Sequence, residues 1–269
     1  MRIVSYSSSG GLRAGVLRDD HVVDIGESVR GLLEAGELPA APPDGKSLPI
    51  EDVELAVPIP DPDKIICIGL NYRSHAAEAG IEPPEVPTFF AKFRNALVPT
   101  GVPVPLPSAS QKVDYEAEVA FVVGKRCRDV AEADALEYVA GYTLLNDLSA
   151  RDMQFATPQW MPGKIFDGSA PCGPELVTPD EAGPHDQIEI KLELNGETMQ
   201  AASTSDLIFS VPALIAHLSS LMTLEPGDIV STGTPSGVGS VRQPPVWLKR
   251  GDEIVISSPT LGRLETRIS

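Results

Sequence analysis

The chain has 269 residues, 42% of them hydrophobic, and a formal charge of −17 at pH 7. That is enough apolar side chain for a sizeable core, in one large or two ordinary domains. The acidic balance speaks against nucleic acid and anionic membrane surfaces as partners, because both are bound through clustered Lys and Arg.

Residues 1–57 read as a small α+β unit, with strands at MRIVSY, LRAGVLR and HVVDI and a helix from about Glu27 to Ala35. MRIVSYSSSGG lacks the apolar segment of a secretory signal, so a cytoplasmic protein is expected. A Pro-rich connector, ELPAAPPDGKSLP, leads into a second unit, residues 58–269. There, short β runs follow one another: KIICIG, TFFAKF, KVDYEAEVAFVVG, GYTLLND, QIEIKLELNGETMQ, GDIVSTG, GDEIVIS and GRLETRIS. Asn195-Gly196 predicts a type I′ hairpin. Helices are predicted at AEADALEYVA and VPALIAHLSSLM, the second with Val211, Leu214, Ile215, Leu218 and Leu221 or Met222 on one stripe. LIFSVPALIAHL, among the longest apolar runs, is far shorter than the roughly 18–20 residues of a membrane span. Strict β–α–β alternation is missing, which disfavours a Rossmann sheet or a TIM barrel and favours a mainly antiparallel or mixed α+β body. Cys67, Cys127 and Cys172 have no CxxC spacing and read as buried small hydrophobes.

The stretch VDYEAEVAFVV carries the first chemical signal. Its odd positions, Val113 to Val123, make one apolar strand face, whereas its even positions run Asp114, Glu116, Glu118 before turning apolar at Ala120 and Val122. Residues two apart on a strand project to the same side at roughly 7 Å spacing. Glu116 and Glu118 can therefore converge on one cation; the alternative is a solvated edge face. Hard oxygen ligands would select magnesium, manganese or calcium over zinc. In GYTLLNDLSARDMQ, Asp147 ends a strand-like run and either caps a following helix or faces the two glutamates. Arg151 and Gln154, four and seven residues on, would share a helical face with it. Arg151 suits bidentate capture of a carboxylate or, more plainly, a surface ion pair.

GLNYRSHAAEAG sets His75 and Glu78 at i, i+3 on a helix face. A carboxylate beside an imidazole fixes its tautomer and raises its basicity, so the pair is a candidate general base, or else ordinary surface residues. His217 sits in an apolar helix and reads as packing. PGKIFDGSAPCGP presents Lys164 in a Gly- and Pro-rich loop, and STGTPSGVG presents Thr234 in a turn that is no P-loop. Each feature alone also has an ordinary surface or turn reading.

Taken in order, GLNYRSHAAEAG, PTFFAKF, VDYEAEVAFVVGKRCRDV, GYTLLNDLSARDMQ, GKIFDGSAPCGPELV, ELNGETMQ, the segment from LIFSVPALIAHL to STGTPSGVG, and LKRGDEIV strongly resemble the fumarylacetoacetate hydrolase superfamily over roughly residues 60–269. The resemblance implies an α+β, mainly β fold, a mixed β-sandwich roll with peripheral helices, commonly as a homodimer. It implies a divalent ion, Mg2+ or else Mn2+ or Ca2+, on Glu116, Glu118 and Asp147. It puts His75 and Glu78 on a segment that can order as a lid, with Lys164 as a further catalytic group and Arg151, Gln154 and Thr234 in contact with substrate. Met153 stands where many relatives carry tryptophan.

The activity so implied is hydrolysis of a carbon–carbon bond in an acylpyruvate-type 2,4-dioxo acid. The ion would act as Lewis acid and template, His75 would activate water, and Lys164 would stabilise the oxyanion. Oxaloacetate decarboxylation, or isomerisation of the 2-hydroxyhepta-2,4-diene-1,7-dioate type, would use the same site. A non-catalytic 2-oxo acid binding protein is the remaining alternative.

Overall fold

The computed structural model describes residues 1–8 and 10–269. The chain begins with β1 (Arg2–Ser8), β2 (Gly11–Arg18), β3 (His21–Gly26), α1 (Val29–Ala35), β4 (Ser47–Pro49) and β5 (Glu54–Ala56). There follow β6 (Ile65–Gly69), α2 (Arg73–Ala79), β7 (Thr88–Lys92), β8 (Leu97–Val98), β9 (Val113–Asp114), β10 (Ala117–Val123) and β11 (Val139–Asn146). The rest comprises β12 (Ser149–Ala150), α3 (Arg151–Gln154), β13 (Ala170–Val177), α4 (Pro179–Ala182), β14 (Glu189–Leu194), β15 (Glu197–Ser203), α5 (Val211–Leu221), β16 (Ile229–Ser231), β17 (Glu253–Ser258) and β18 (Gly262–Arg267).

A twelve-stranded sheet runs β4-β3-β2-β1-β13-β11-β10-β16-β6-β7, with β5 joined to β1 and β8 to β13. A four-stranded sheet, β15-β14-β17-β18, packs against it. Only β16 with β6 and β8 with β13 are parallel among the described pairs, so the expected mixed, mainly β architecture is present. The N-terminal unit is annealed to this body rather than tethered to it: β1 pairs with β13 at Arg2↔Val177 and Ile3↔Leu176. Val29 and Leu33 of α1 share a core cluster with Ile65, Cys67 and Ile229.

β10 lies at the centre, and both its faces are covered. Val119, Phe121 and Val123 pack with Ile190, Leu192, Ile254, Ile256 and Leu264 of the smaller sheet and with Leu214 and Leu218 of α5. Ala120 and Val122 point the other way, into the cluster that holds Cys67 and Leu145. Burying a side chain such as Phe121 stabilises by roughly 1.5–3 kcal/mol, so this strand is held firmly in register.

Several local expectations are corrected. VDYEAEVAFVV is not one strand but β9 and β10, with Tyr115 and Glu116 in the break. The ladder is replaced there by side chains: Glu116 N–H donates to Asn146 Oδ1 at 3.2 Å and Ala117 N–H to Gln200 Oε1 at 2.9 Å. No helix carries Asp147 with Arg151 and Gln154 on one face, because β12 intervenes and α3 spans only Arg151–Gln154, with Ala150 at its N-cap. AEADALEYVA forms a 3₁₀ helix over Glu132–Tyr138. α1 starts at Val29 because Ser28 takes the cap, accepting from Gly31 N–H. In α5 the stripe Val211, Leu214, Ile215 and Leu218 is buried, whereas Leu221 is exposed. Asn195 (φ 52°) and Gly196 (φ 83°) make the predicted hairpin turn. The three cysteines are free and buried, and His217 packs edge-on against Phe89.

Candidate metal centre and active site

Three carboxylates meet where β10 and β11 begin and end together. Ala117 pairs with Asn146, which puts Glu116 just before one strand beside Asp147 just after the other, and Asp147 N–H donates to Glu116 O at 2.9 Å. Glu118 follows on β10. One oxygen from each of Glu116, Glu118 and Asp147 lies within 4.8 Å of the others, and the three side chains are buried. This all-oxygen set can hold a divalent ion of the magnesium, manganese or calcium type.

The electrostatics test that fit. Lys164 Nζ stands 2.6 Å from Glu116 Oε2 and 2.7 Å from Asp147 Oδ2, and 5.0 Å above the Phe90 ring. Lys92 Nζ is 2.8 Å from Asp147 Oδ1, and Arg151 Nη2 is 2.6 Å from Glu116 Oε1. Burial would raise the Glu116 carboxyl, but Arg151 and Lys164 outweigh it and hold Glu116 below the usual carboxylate range. Burial likewise opposes the Lys164 ammonium, and Asp147 and Glu116 overcome it, raising its pKa. Glu118 has no such cation among the described residues; it accepts from the Ser231 hydroxyl and from Gly233 N–H at 3.0 Å. Burial first, then Asp147 and Glu116, push Glu118 well above the usual range. The centre thus has a surplus buried acid, and a divalent cation is the group that would let it ionise.

Asp114, which the strand pattern leaves without a task, organises the rim. Its carboxylate lies 2.9 Å from both Arg151 Nε and Nη2 and accepts N–H bonds from Tyr115 (2.9 Å), Gly239 (2.7 Å) and Ser240 (3.0 Å). Arg151 Nη1 donates to Gln154 Oε1 at 2.9 Å. The Arg151 guanidinium is thus held among Asp114, Glu116 and Gln154 at the cavity wall. Thr234 Oγ1 likewise donates to Ala117 O at 3.0 Å and accepts from Gln200 Nε2 at 2.9 Å, while Gln200 also donates to Pro235 O.

His75 and Glu78 sit on α2 as expected. His75 Nδ1 is 3.5 Å from Glu78 Oε2, and both Glu78 oxygens accept from Gly237 N–H, at 2.9 and 3.0 Å. Buried Asn71 fixes the approach to this helix, donating to Thr232 O (2.8 Å) and Phe209 O (3.1 Å) and accepting from Phe209 N–H (2.8 Å). His75, Glu116, Glu118, Asp147, Arg151, Gln154, Lys164 and Thr234 all line one cavity of about 510 Å³, with Ile68, Ile81, Phe90, Phe155, Trp160 and Val241 as its apolar wall. Glu78 stands behind His75. Lys92, Asn71 and Gln200 escaped the motif reading, and Asp114 was seen only as the first acid of its run. Lys92 left a trace as a lysine in the apolar β run TFFAKF.

Residues 64–269 match the family model described as Fumarylacetoacetate (FAA) hydrolase C-terminal. A Dictyostelium discoideum protein named fumarylacetoacetate hydrolase domain-containing protein 2 homolog is 45% identical, over 83% of this chain and 76% of its own length. A Xenopus laevis protein named oxaloacetate tautomerase fahd2, mitochondrial, is 42% identical, over 81% of this chain and 69% of its own. A solved structure titled fumarylacetoacetate hydrolase, from Exiguobacterium antarcticum, superposes with a TM-score of 0.90 at 32% identity, covering 100% of this chain and 99% of that one. A Mycobacterium smegmatis structure titled 5-carboxymethyl-2-hydroxymuconate delta-isomerase gives 0.84 at 34% identity, with 100% and 99% coverage. With the acid triad, His75 and Lys164 converging on one cavity in this fold, the chain belongs to the fumarylacetoacetate hydrolase family and is an enzyme of it.

Proposed function

We propose that this enzyme interconverts the keto and enol forms of a short 2-oxo dicarboxylate, with oxaloacetate the first candidate, at a divalent ion held by Glu116, Glu118 and Asp147. The observation that carries the reading is the surplus buried acid of the triad facing the same cavity as His75 and Lys164. The relatives named oxaloacetate tautomerases support the choice of substrate. When bound, the ion supplies a Lewis acid and a template for a carboxylate and the adjacent oxo oxygen.

The chain's own residues do the rest. Lys164 has three N–H donors, two directed at Glu116 and Asp147, and the third serves the oxygen on which negative charge grows. His75 faces Glu78 through Nδ1, which leaves its other ring nitrogen to take the proton from the carbon beside the oxo group as the enol forms, the oxygen then gaining a proton from solvent, and to deliver a proton to that carbon in the reverse direction, after the enol O–H proton has been lost to solvent. Glu78, pinned by Gly237 N–H, keeps the ring in that orientation. Phe90 and Trp160 wall off water from one side.

A second reading, hydrolysis of an acylpyruvate to a carboxylic acid and pyruvate, shares these steps and adds a water activated by His75. It is favoured by the position of the pair at the cavity rim, with side-chain exposures of 15% for His75 and 26% for Glu78. We further propose residues 58–269 as the catalytic unit with 1–57 as an accessory, a homodimer as the working assembly and the cytoplasm as its compartment. The first is supported by the extent of the family match. No helix among the described residues is long and apolar enough to cross a membrane.

The test is the purified protein with Mg2+ or Mn2+ on enol oxaloacetate and on acetylpyruvate, followed by ultraviolet absorbance with products identified by NMR. Enol loss to the keto form alone supports the first reading. Release of acetate and pyruvate from acetylpyruvate moves the assignment to the second, and inertness toward both overturns the two. His75→Gln should slow the favoured reaction by about 10²–10⁴-fold, the usual contribution of a general base.

A further inference from the structure

Lys92 is the last residue of β7, and its side chain is 0% exposed. A lysine ammonium in a core is costly unless every donor is met. Here Nζ donates to Ser169 O at 2.9 Å, to Ser169 Oγ at 3.1 Å and to Lys164 O, and lies 2.8 Å from Asp147 Oδ1. Ser169 Oγ in turn donates to Lys164 O at 2.8 Å.

These contacts fall on two groups of the site from behind. One is Asp147, whose Oδ1 forms the ion pair with Lys92 while its Oδ2 meets Lys164 Nζ. The other is the main chain of Lys164 itself. Phe90, two residues earlier and so on the same strand face, lies beneath the Lys164 ammonium. The inward face of β7 therefore sets both the carboxylate and the lysine that meet in the cavity, while Lys92 itself does not line it.

We infer that Lys92 is a positioning residue of the metal centre, holding Asp147 and the Lys164 backbone in the geometry that a divalent ion requires. The inference rests on the reading of the acid triad as a metal site. It competes with a simpler role, in which Lys92 only balances buried negative charge. The two roles predict opposite signs. A mere counter-charge repels a nearby cation, so Lys92→Met would leave Mn2+ affinity unchanged or tighten it. Loss of a group that orients a ligand weakens metal affinity by about 10–100-fold.

The experiment is calorimetric titration of Mn2+ into the full-length metal-free protein, wild type, K92M and S169A, with folding checked by circular dichroism. Ser169→Ala keeps the lysine but removes the hydroxyl that bridges it to Lys164 O, and decides the matter if K92M does not fold. The expected result is about 10–100-fold weaker Mn2+ binding in K92M and a smaller loss in the same direction in S169A. Affinity unchanged or tighter in K92M overturns the inference, as does unchanged affinity in S169A if K92M does not fold. Failure of the wild type to bind Mn2+ overturns the triad reading instead.

Discussion

Glu118→Gln separates the metal centre's demand for charge from its demand for shape. Glu118 is buried, lacks a cationic partner among the described residues, and is driven toward its neutral form by burial and by Asp147 and Glu116. Glutamine has the same outline and can still accept from the Ser231 hydroxyl and Gly233 N–H that Glu118 now engages. In the metal-free protein the exchange should therefore cost at most about 1 kcal/mol, the worth of one ordinary hydrogen bond. With metal present the two proteins should diverge. An ion at 100 times its dissociation constant stabilises the wild type by about 2.7 kcal/mol. At about 2–4 °C per kcal/mol for a chain of this size, Tm should rise by about 5–10 °C. In E118Q that rise should disappear, because a neutral amide replaces one of three anionic ligands. The assay is thermal unfolding with chelator and with Mg2+ or Mn2+. An equal metal-dependent rise in E118Q would show that the Glu118 charge does not hold the ion, and a metal-free E118Q many degrees less stable than the wild type would show that Glu118 is not neutral there.

Since Glu118 must ionise to bind the ion, metal binding should release a proton and tighten by up to about tenfold per pH unit below the raised Glu118 pKa; calorimetry in buffers of different ionisation enthalpy measures both. In the metal-free protein a raised carboxyl pKa contributes stability that is fully present below the ordinary value of 4.5 and is lost as pH rises through the folded value. Unfolding free energies across that window should fall with pH in the wild type, and more shallowly in E118Q. Asp114→Asn leaves the buried Arg151 guanidinium without one of its two carboxylates. Breaking a buried pair costs about 3–5 kcal/mol, so urea unfolding should register a loss of that order; a change below about 1 kcal/mol would show that the Asp114 hub is dispensable.

Much of this architecture was legible because β runs, turn residues and the α5 stripe are local signals. The odd face of VDYEAEVAFVV had to meet a core, and Asn195-Gly196 had to turn. What was hidden depends on pairing across long separations. The break at Tyr115 and Glu116 exists because Asn146 and Gln200, distant in sequence, supply the hydrogen bonds the ladder gives up. Asp147 reaches the glutamates from a strand end, whereas its spacing to Arg151 and Gln154 suggested a helix; only the β10–β11 register decides between these. Asp114 read as a leftover acid because its partners are Arg151, 37 residues on, and backbone N–H groups, those of residues 239 and 240 among them, which carry no side-chain signature. Lys92 read as part of a strand for a similar reason: two of the four groups that meet its ammonium are carbonyl oxygens, and the other two lie far along the chain. Arg151 shows the same limit, since its place in the chain carries no sign that Asp114 and Glu116 both engage its guanidinium.

Enolisation of a 2-oxo acid at a metal held by Glu116, Glu118 and Asp147 is read out by the rate at which enol oxaloacetate converts to its keto form, followed by ultraviolet absorbance. Wild-type protein with Mg2+ or Mn2+ should accelerate the conversion above the metal-only blank, chelator should abolish the acceleration, and Glu116→Ala should do the same with metal present. A rate indistinguishable from the blank, or one that survives both the chelator and Glu116→Ala, would contradict enolisation at this centre.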